Sequence, residues 1–324
     1  MEGRFVKTLE DLKNFYETAL MPDLKVLEQQ RRNIVRKVAC VMIATASIAG
    51  VAFFVAVQSL HEAGPVVIFP IIVGLLIGAG VCYLLTRGYV ADFKALVIER
   101  IVRFIDENLT YSPKDCIPKS VFMLSKIFTT TPNRYKGDDL VCGKVGATQI
   151  QFSELHAEYE SGSGKNRHRY TVFRGIFFVG DFNKHFTGQT IVLPDTAEKL
   201  FGRLGQKLQS LNIFRGNLIK LEDPEFESHF AVYGSDQIEA RYILSTSLMA
   251  RITDFKKKTG KKIHLSFIGS MVFVAVSCTR SLFEPRLFKT LLDFEPVRQY
   301  FEDLQLAVGI VDDLNLNTRI WSKE

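Results

Sequence analysis

Cysteine is scarce in this chain, and what there is follows no binding pattern. The 324 residues include five cysteines, and no two of them are spaced as CxxC. The sequence therefore indicates neither a zinc site nor a disulfide framework. The Walker, dinucleotide-binding, GxSxG and HExxH fingerprints are also missing from the sequence. It accordingly assigns no catalytic residue and predicts no cofactor.

Charge is missing from two long stretches near the N-terminus. Residues 38–57 and 66–86 contain no Asp, Glu, Lys or Arg. A helix of about 20 residues is long enough to cross the hydrocarbon core of a bilayer. Buried core helices of a soluble protein are the alternative, but such helices seldom stay apolar on every face. We predict spans at 38–60 and 66–86, joined by a short link into a transmembrane helical hairpin.

The link between the spans has no Lys or Arg, whereas the outer ends of both spans have several. The basic residues beside the spans are Arg31, Arg32, Arg36, Lys37 and Arg87. Under the positive-inside rule, this asymmetry places the N- and C-termini in the cytoplasm. The sequence thus predicts a multi-pass membrane protein with a cytoplasmic amphipathic helical segment, a hairpin and a cytoplasmic domain, at residues 1–37, 38–86 and 87–324.

Small residues recur within the spans at intervals of four. They are Ala46 and Gly50 in the first span and Gly74 and Gly78 in the second. This spacing lets helix backbones approach closely in lipid, either inside the hairpin or between two copies. The absence of charged residues within the spans argues against an ion path or a transport site.

Apolar residues continue at helical spacing on both sides of the hairpin, among charged ones. Leu12, Tyr16 and Leu27 belong to the stripe before the first span, and Phe93 and Val97 to the stripe after the second. One hypothesis is that the two stripes pair and extend the hairpin as a stalk. The competing hypothesis lays the first segment on the membrane surface.

The remainder of the chain has an α+β pattern. Alternating segments predict strands near residues 140–145, 149–160, 170–181, 190–193, 217–221, 229–233, 262–267 and 271–277. Helical patterns lie near 118–128, 196–211, 245–259 and 295–314. Adjacent strands with helices at the ends favour a mainly antiparallel sheet with a C-terminal helix over a doubly wound parallel sheet.

Three groups of polar residues are candidates for binding or chemistry. Glu154, His156 and Glu158 share one face of a predicted strand and suit a metal or acid–base role, although a solvated sheet face has the same pattern. Asp181 and His185 lie in a turn after an apolar strand and are a second candidate group. The basic loop residues Lys165, Arg167 and Arg169 suit lipid phosphates, or form an ordinary polar loop tip. A P-loop is excluded because its leading glycine and the Ser or Thr after the lysine are absent.

The second half of the chain contains several short sequence segments that resemble those of a known family. It includes QTIVLPDTAEKLFG from residue 189, LEDPEFE from residue 221, YGSDQIEARYIL from residue 233 and LNLNTRIW from residue 314. These segments resemble a bacterial family, domain-of-unknown-function family 3137, and the resemblance covers roughly residues 110 to 321. The resemblance implies a prokaryotic membrane-anchored protein and brings no known activity, cofactor or catalytic residue.

Together these features favour a cytoplasm-facing binding or scaffolding module anchored in the bacterial inner membrane. Its expected partners are membrane lipids and a second copy or another membrane protein. Nucleic acid is not expected, because residues 88–324 contain 32 Lys and Arg against 28 Asp and Glu, an excess of only four positive charges. Two alternatives stay open: a membrane-tethered hydrolase or metal-dependent enzyme that uses Glu154, His156 and Glu158, and a secreted effector whose hairpin enters a host membrane.

Overall fold

The computed structural model describes residues 7–58, 65–162, 164–195 and 215–317. The contacts between residues divide the chain into two compact units. Unit 1 comprises Met1–Ile101 and Phe283–Phe301, and unit 2 comprises Val102–Leu282 and Glu302–Glu324. The predicted segments 1–37, 38–86 and 87–324 are defined by their place relative to a membrane and stay a prediction.

Two long helical segments dominate unit 1. The first consists of α1 (Leu9–Phe15), a π-helical turn (Tyr16–Leu20) and α2 (Met21–Gln58). The second consists of α3 (Pro65–Phe93), a π-helical turn (Lys94–Ile98) and α4 (Glu99–Ile105), whose last residues belong to unit 2. The first segment begins at Thr8, where a capping box with Asp11 satisfies backbone amides that have no partner within the helix.

The apolar stripes beside the predicted spans are the buried core of unit 1. Leu12, Leu27, Phe93 and Val97 are all fully buried. Arg100 forms an ion pair with Asp23, which joins the two helical segments directly. The two amphipathic segments therefore lie against each other, as the pairing hypothesis expects.

The segment Phe283–Phe301 completes the core of unit 1, although it lies far away in sequence. The ring of Tyr16 packs edge-on against Phe294 at a centroid distance of 5.3 Å. Its hydroxyl donates a hydrogen bond to the carbonyl of Leu292 at 2.7 Å. Phe93 packs similarly against Tyr300 at 5.5 Å. The two stripes thus bury their apolar side chains against this segment as well as against each other.

Unit 2 is built on a nine-stranded sheet of described residues. The strands are β1 (Leu109–Ser112), β2 (Arg134–Val145), β3 (Thr148–Ser161), β4 (His168–Asp181), β5 (Gln189–Pro194), β6 (Asn217–Ile219), β7 (Phe230–Gly234), β8 (Ile263–Ile268) and β9 (Met271–Ser277). Their order is β1-β2-β3-β4-β9-β8-β5-β7-β6, and every neighbouring pair is antiparallel. The predicted α+β class with a mainly antiparallel sheet is confirmed.

The helices that follow are α5 (Lys119–Leu124), α6 (Pro224–His229), α7 (Gln237–Ile243), α8 (Thr246–Thr259) and α9 (Phe294–Asp313). The helix predicted near 118–128 is shorter than expected, because Lys126 has a positive φ of 53° that ends the helical path. The helix predicted at 196–211 lies outside the described residues.

One face of the sheet carries an aromatic-rich core. Phe122, from α5, contacts Phe173 and Phe177 of β4 at centroid distances of 6.1 Å and 5.1 Å. The buried members of this core are Ile117, Phe122, Ile127, Leu155, Ala157, Phe173, Phe177, Val179, Ile191, Leu193, Phe273 and Ala275. Because alternate residues of a strand point to opposite faces, Glu154 and His156 of β3 lie on the other face.

Candidate functional site

The apolar surface of α2 and α3 is the most extensive candidate interaction surface. Both helices are long and apolar enough to cross a membrane. Their large side chains point outward: Ile43 and Leu76 are each 67% exposed, and Phe53 is 64% exposed. Large contiguous apolar surfaces on a folded protein mark interaction sites, and the length here matches the hydrocarbon thickness.

A buried carboxylate lies just before the first predicted span. Glu28 is 3% exposed, and its oxygens accept hydrogen bonds from Arg31 at 2.8 Å and from Arg32 at 2.9 Å. The same carboxylate accepts the backbone N–H of Leu291 at 3.1 Å, and Arg31 also donates to the carbonyl of Leu287 at 2.7 Å. The hydrogen bonds from Arg31 lower the pKa of Glu28 to about 2.

The five basic residues that predict the orientation therefore differ in their surroundings. Arg31 and Arg32 bind Glu28, whereas Arg36, Lys37 and Arg87 are exposed. Sequence reasoning missed Glu28. Its spacing of three and four residues from the two arginines was the available signal, since those positions are neighbours on a helix.

The small residues of the spans separate into two groups. A Cβ added to Gly78 would meet the Cγ2 of Thr45 on α2 at 2.7 Å, so this glycine permits close contact inside the hairpin. Among the described residues, a Cβ added to Gly74 or Gly50 would meet nothing within 4 Å. Ala46 is exposed. Packing of these three against a second copy stays a prediction.

The carboxylate face of β3 is less solvated than its alternation suggests. Glu154 is 8% exposed and accepts the backbone N–H of Leu282 at 2.8 Å. Burial raises the pKa of Glu154. His156 and Glu158 are half-buried, and the Nε2 of His156 lies 3.7 Å from a carboxylate oxygen of Glu158. Glu154 therefore fixes the chain around residue 282 in the folded state.

Two further carboxylates lie close to Glu154. Asp138 is its partner across the β2–β3 pair, and Asp139 follows in a bulge of β2 with a positive φ of 59°. Oxygens of the three side chains lie within 4.8 Å of one another, a spacing that a divalent cation could bridge. Asp139 also accepts a hydrogen bond from the hydroxyl of Tyr111. Glu154 and Asp139 thus already accept protein hydrogen bonds.

The other polar candidates lie elsewhere in unit 2. Asp181 is the last residue of β4, where its side chain accepts the backbone N–H of Asn183 at 3.0 Å, and His185 is exposed. Arg167 and Arg169 both bind Glu160, at 3.0 Å and 2.8 Å. The side chain of Lys165 lies outside the described part of the structure. These residues do not converge with Glu154 on one site.

The described part of unit 2 contains cavities that the sequence did not predict. One of about 660 Å³ is lined in part by Phe128, Thr187, Gln189 and Ile268. A second, of about 430 Å³, lies beside the start of α8. Both volumes fall in the range of small-molecule sites, roughly 300 to 1,000 Å³. Their linings come from segments distant in sequence, so no local sequence motif predicts these cavities.

Two apolar helices of spanning length and a domain built on an antiparallel sheet define the class of this protein: an α+β protein whose helices can cross a membrane. The model of the family described as "Protein of unknown function (DUF3137)" matches residues 171–316. This match confirms the resemblance to the family, but over fewer residues than the range of roughly 110 to 321 expected from the sequence. No curated protein matches the chain.

One solved structure with a detectable likeness is that of the mycobacterial trehalose monomycolate transport factor A, TtfA. The two are 9% identical, and the match covers 64% of this chain and 95% of that one with a TM-score of 0.29. A likeness of this size supports no conclusion about fold or function.

Proposed function

We propose that this chain is a bacterial membrane-anchored binding or scaffolding module. In this proposal α2 and α3 cross the inner membrane as a hairpin, both termini are cytoplasmic, and unit 2 is held beside the inner leaflet. The observation that carries the proposal is the exposed apolar surface of α2 and α3, which would be costly in water and is favourable in lipid. The basic residues at the outer ends of both spans support the orientation.

Binding is favoured over catalysis by what the candidate polar residues do. Glu154 holds the N–H of Leu282, and Glu160 holds Arg167 and Arg169, so these carboxylates have positioning contacts. The cavities of unit 2 supply concave surfaces of ligand size.

A substitution test addresses the anchor. Ile48 and Leu76 are exposed apolar residues near the middles of the predicted spans, and Ile238 is an exposed apolar residue of unit 2. An arginine at the centre of a spanning helix costs about 2.5 to 3.5 kcal/mol on the insertion scale. We expect the double variant Ile48→Arg/Leu76→Arg to be lost from carbonate-washed membranes, and the control Ile238→Arg to stay with them. Recovery of the unsubstituted chain in the soluble fraction would refute the anchor.

Orientation and residence have their own measurements. A cysteine introduced at Glu62 is expected to react with an impermeant maleimide added outside the cell, whereas one at Lys7 is expected to react only after permeabilisation. Fractionation of the producing cells separates a resident inner-membrane protein from an exported effector. Stoichiometric metal in the purified chain that disappears in Asp138→Asn would instead favour the metal-dependent alternative.

A further inference from the structure

The 430 Å³ cavity of unit 2 is assembled from three separate segments. The turn after β4 contributes residues 182–184, the junction of α7 and α8 contributes residues between 241 and 251, and the chain after α9 contributes residues 314–316. Its lining includes the cations Lys184, Arg241 and Arg251 and no aspartate or glutamate. The charge of the described lining is therefore entirely positive.

Each of the cations is held at the cavity by a different contact. The ammonium of Lys184 lies 4.4 Å from the ring centre of Tyr242, a cation–π contact that directs the side chain along the wall. A guanidinium nitrogen of Arg251 donates to the carbonyl of Asp312 at 3.3 Å, and Arg241 donates to the carbonyl of Lys220 at 3.4 Å. Within the described part of the chain, neither arginine forms an ion pair, so neither charge is neutralised by a carboxylate.

The α8 helix adds hydrogen-bond donors that also favour an anion. Ser245 caps this 14-residue helix, and its hydroxyl accepts the N–H of Leu248 at 3.4 Å. The hydroxyls of Ser245 and Ser247 lie 3.2 Å apart, and both residues line the cavity. The first turn of α8 has no acidic side chain to offset the positive end of the helix. Hydroxyls and first-turn amides are donors that suit a phosphate oxygen.

The rest of the lining is apolar or aromatic. Phe182, Tyr242, Ile243, Leu248, Leu314 and Leu316 are its apolar members. A small inorganic anion would use only the basic part of this cavity, whereas an organic phosphate would use both parts. Burial also lowers the pKa of Lys184, because the charged ammonium loses part of its hydration. A bound anion would stabilise that charge in place of the missing water.

We propose that this cavity binds a phosphate-bearing organic molecule, with the phosphate at the basic wall and the organic body against the apolar lining. The inference rests on the proposed function as a binding module and names the class of ligand. The same chemistry is offered by a free phosphorylated metabolite and by the headgroup of an anionic phospholipid.

The test uses the full chain in uncharged, phosphate-free maltoside micelles. Adenosine monophosphate represents the free source and dioctanoyl phosphatidylglycerol the lipid source, with binding followed by calorimetry. We expect one of the two to bind, and inorganic phosphate to compete weakly. Losing one of several charge-assisted hydrogen bonds should weaken binding about tenfold or more in Lys184→Gln and in Arg251→Gln.

Two further variants keep the result interpretable. Lys257→Gln removes a positive charge from the same helix at a site paired with Glu225, away from the cavity lining, and should leave affinity unchanged. Arg251→Lys keeps the charge and should recover part of the affinity. The inference is overturned if neither probe binds, or if the Lys184 and Arg251 variants bind as tightly as the unsubstituted chain. Recovery of the same variants in carbonate-washed membranes, measured before detergent extraction, distinguishes loss of the ligand site from loss of the anchor.

Discussion

Substitution of Glu28 by glutamine should loosen unit 1 selectively. Its carboxylate is bound by Arg31 and Arg32 and fixes the backbone N–H of Leu291. Its pKa falls from 4.5 to about 2, and one pKa unit corresponds to about 1.4 kcal/mol, so the charged form is stabilised by about 3 kcal/mol. Removing one partner of a buried ion pair costs a similar amount, about 3 to 5 kcal/mol.

Hydrogen exchange measured in micelles reports this loss directly. About 3 kcal/mol corresponds to a roughly 100-fold faster exchange of the amides in Phe283–Phe301, while amides of the sheet in unit 2 keep their rates. The matched control is Glu295→Gln, in the same segment. Glu295 binds Arg298 at 2.7 Å, but 54% of its side chain is exposed, so water can replace that partner. Equal exchange in Glu28→Gln and the control would refute the role of the buried carboxylate.

The same substitution changes the response to acid. Because the pKa of Glu28 is lower in the folded state, its contribution is complete above about pH 4.5 and is lost as pH falls toward 2. The unsubstituted chain should therefore lose protection in unit 1 across this window, and Glu28→Gln should lack that part of the acid dependence. An identical pH profile for both would contradict the lowered pKa.

Two other substitutions test packing and burial. Gly78→Ile should destabilise the hairpin by about 1 to 3 kcal/mol, because its Cβ would meet Thr45, whereas Gly74→Ile should cost little. Thermal unfolding in micelles compares the two variants. Equal melting temperatures would contradict the contact between residue 78 and Thr45. Glu154→Ala should destabilise unit 2 by about 1 to 3 kcal/mol by leaving the N–H of Leu282 without its acceptor, whereas Glu154→Gln keeps one. Because burial raises the pKa of Glu154, its contribution is present at low pH and is lost as pH rises through the folded-state pKa, a dependence that Glu154→Gln should lack.

Local patterns predicted many elements of unit 2, but not α6, α7 or the first half of β2. The alternation over 149–160 marks β3, which runs from Thr148 to Ser161. The helix predicted at 245–259 runs from Thr246 to Thr259 and ends there because Gly260 takes the left-handed conformation, with φ of 63°. The short strand Leu109–Ser112 was missed, since four residues at the edge of a sheet carry too little periodicity to be recognised.

The site residues were harder to predict because their surroundings come from distant parts of the chain. Glu154 lies on a strand face whose polar residues are typical of a solvated surface, and its burial depends on residues near 282. Asp138 and Asp139 come together with it only through the β2–β3 register and its bulge. The 430 Å³ cavity likewise joins three segments, which no spacing rule relates.

The return of Phe283–Phe301 to the N-terminal helices has a consequence for biosynthesis. The ribosome finishes both apolar helices long before it makes this segment, since translation proceeds at about 5 to 20 residues per second. During that interval of about ten seconds or more, Tyr16, Phe93 and the carboxylate of Glu28 lack partners that the finished fold provides. A nascent chain stalled before residue 283 should therefore be a target for chaperones and proteases even though its hairpin is already complete.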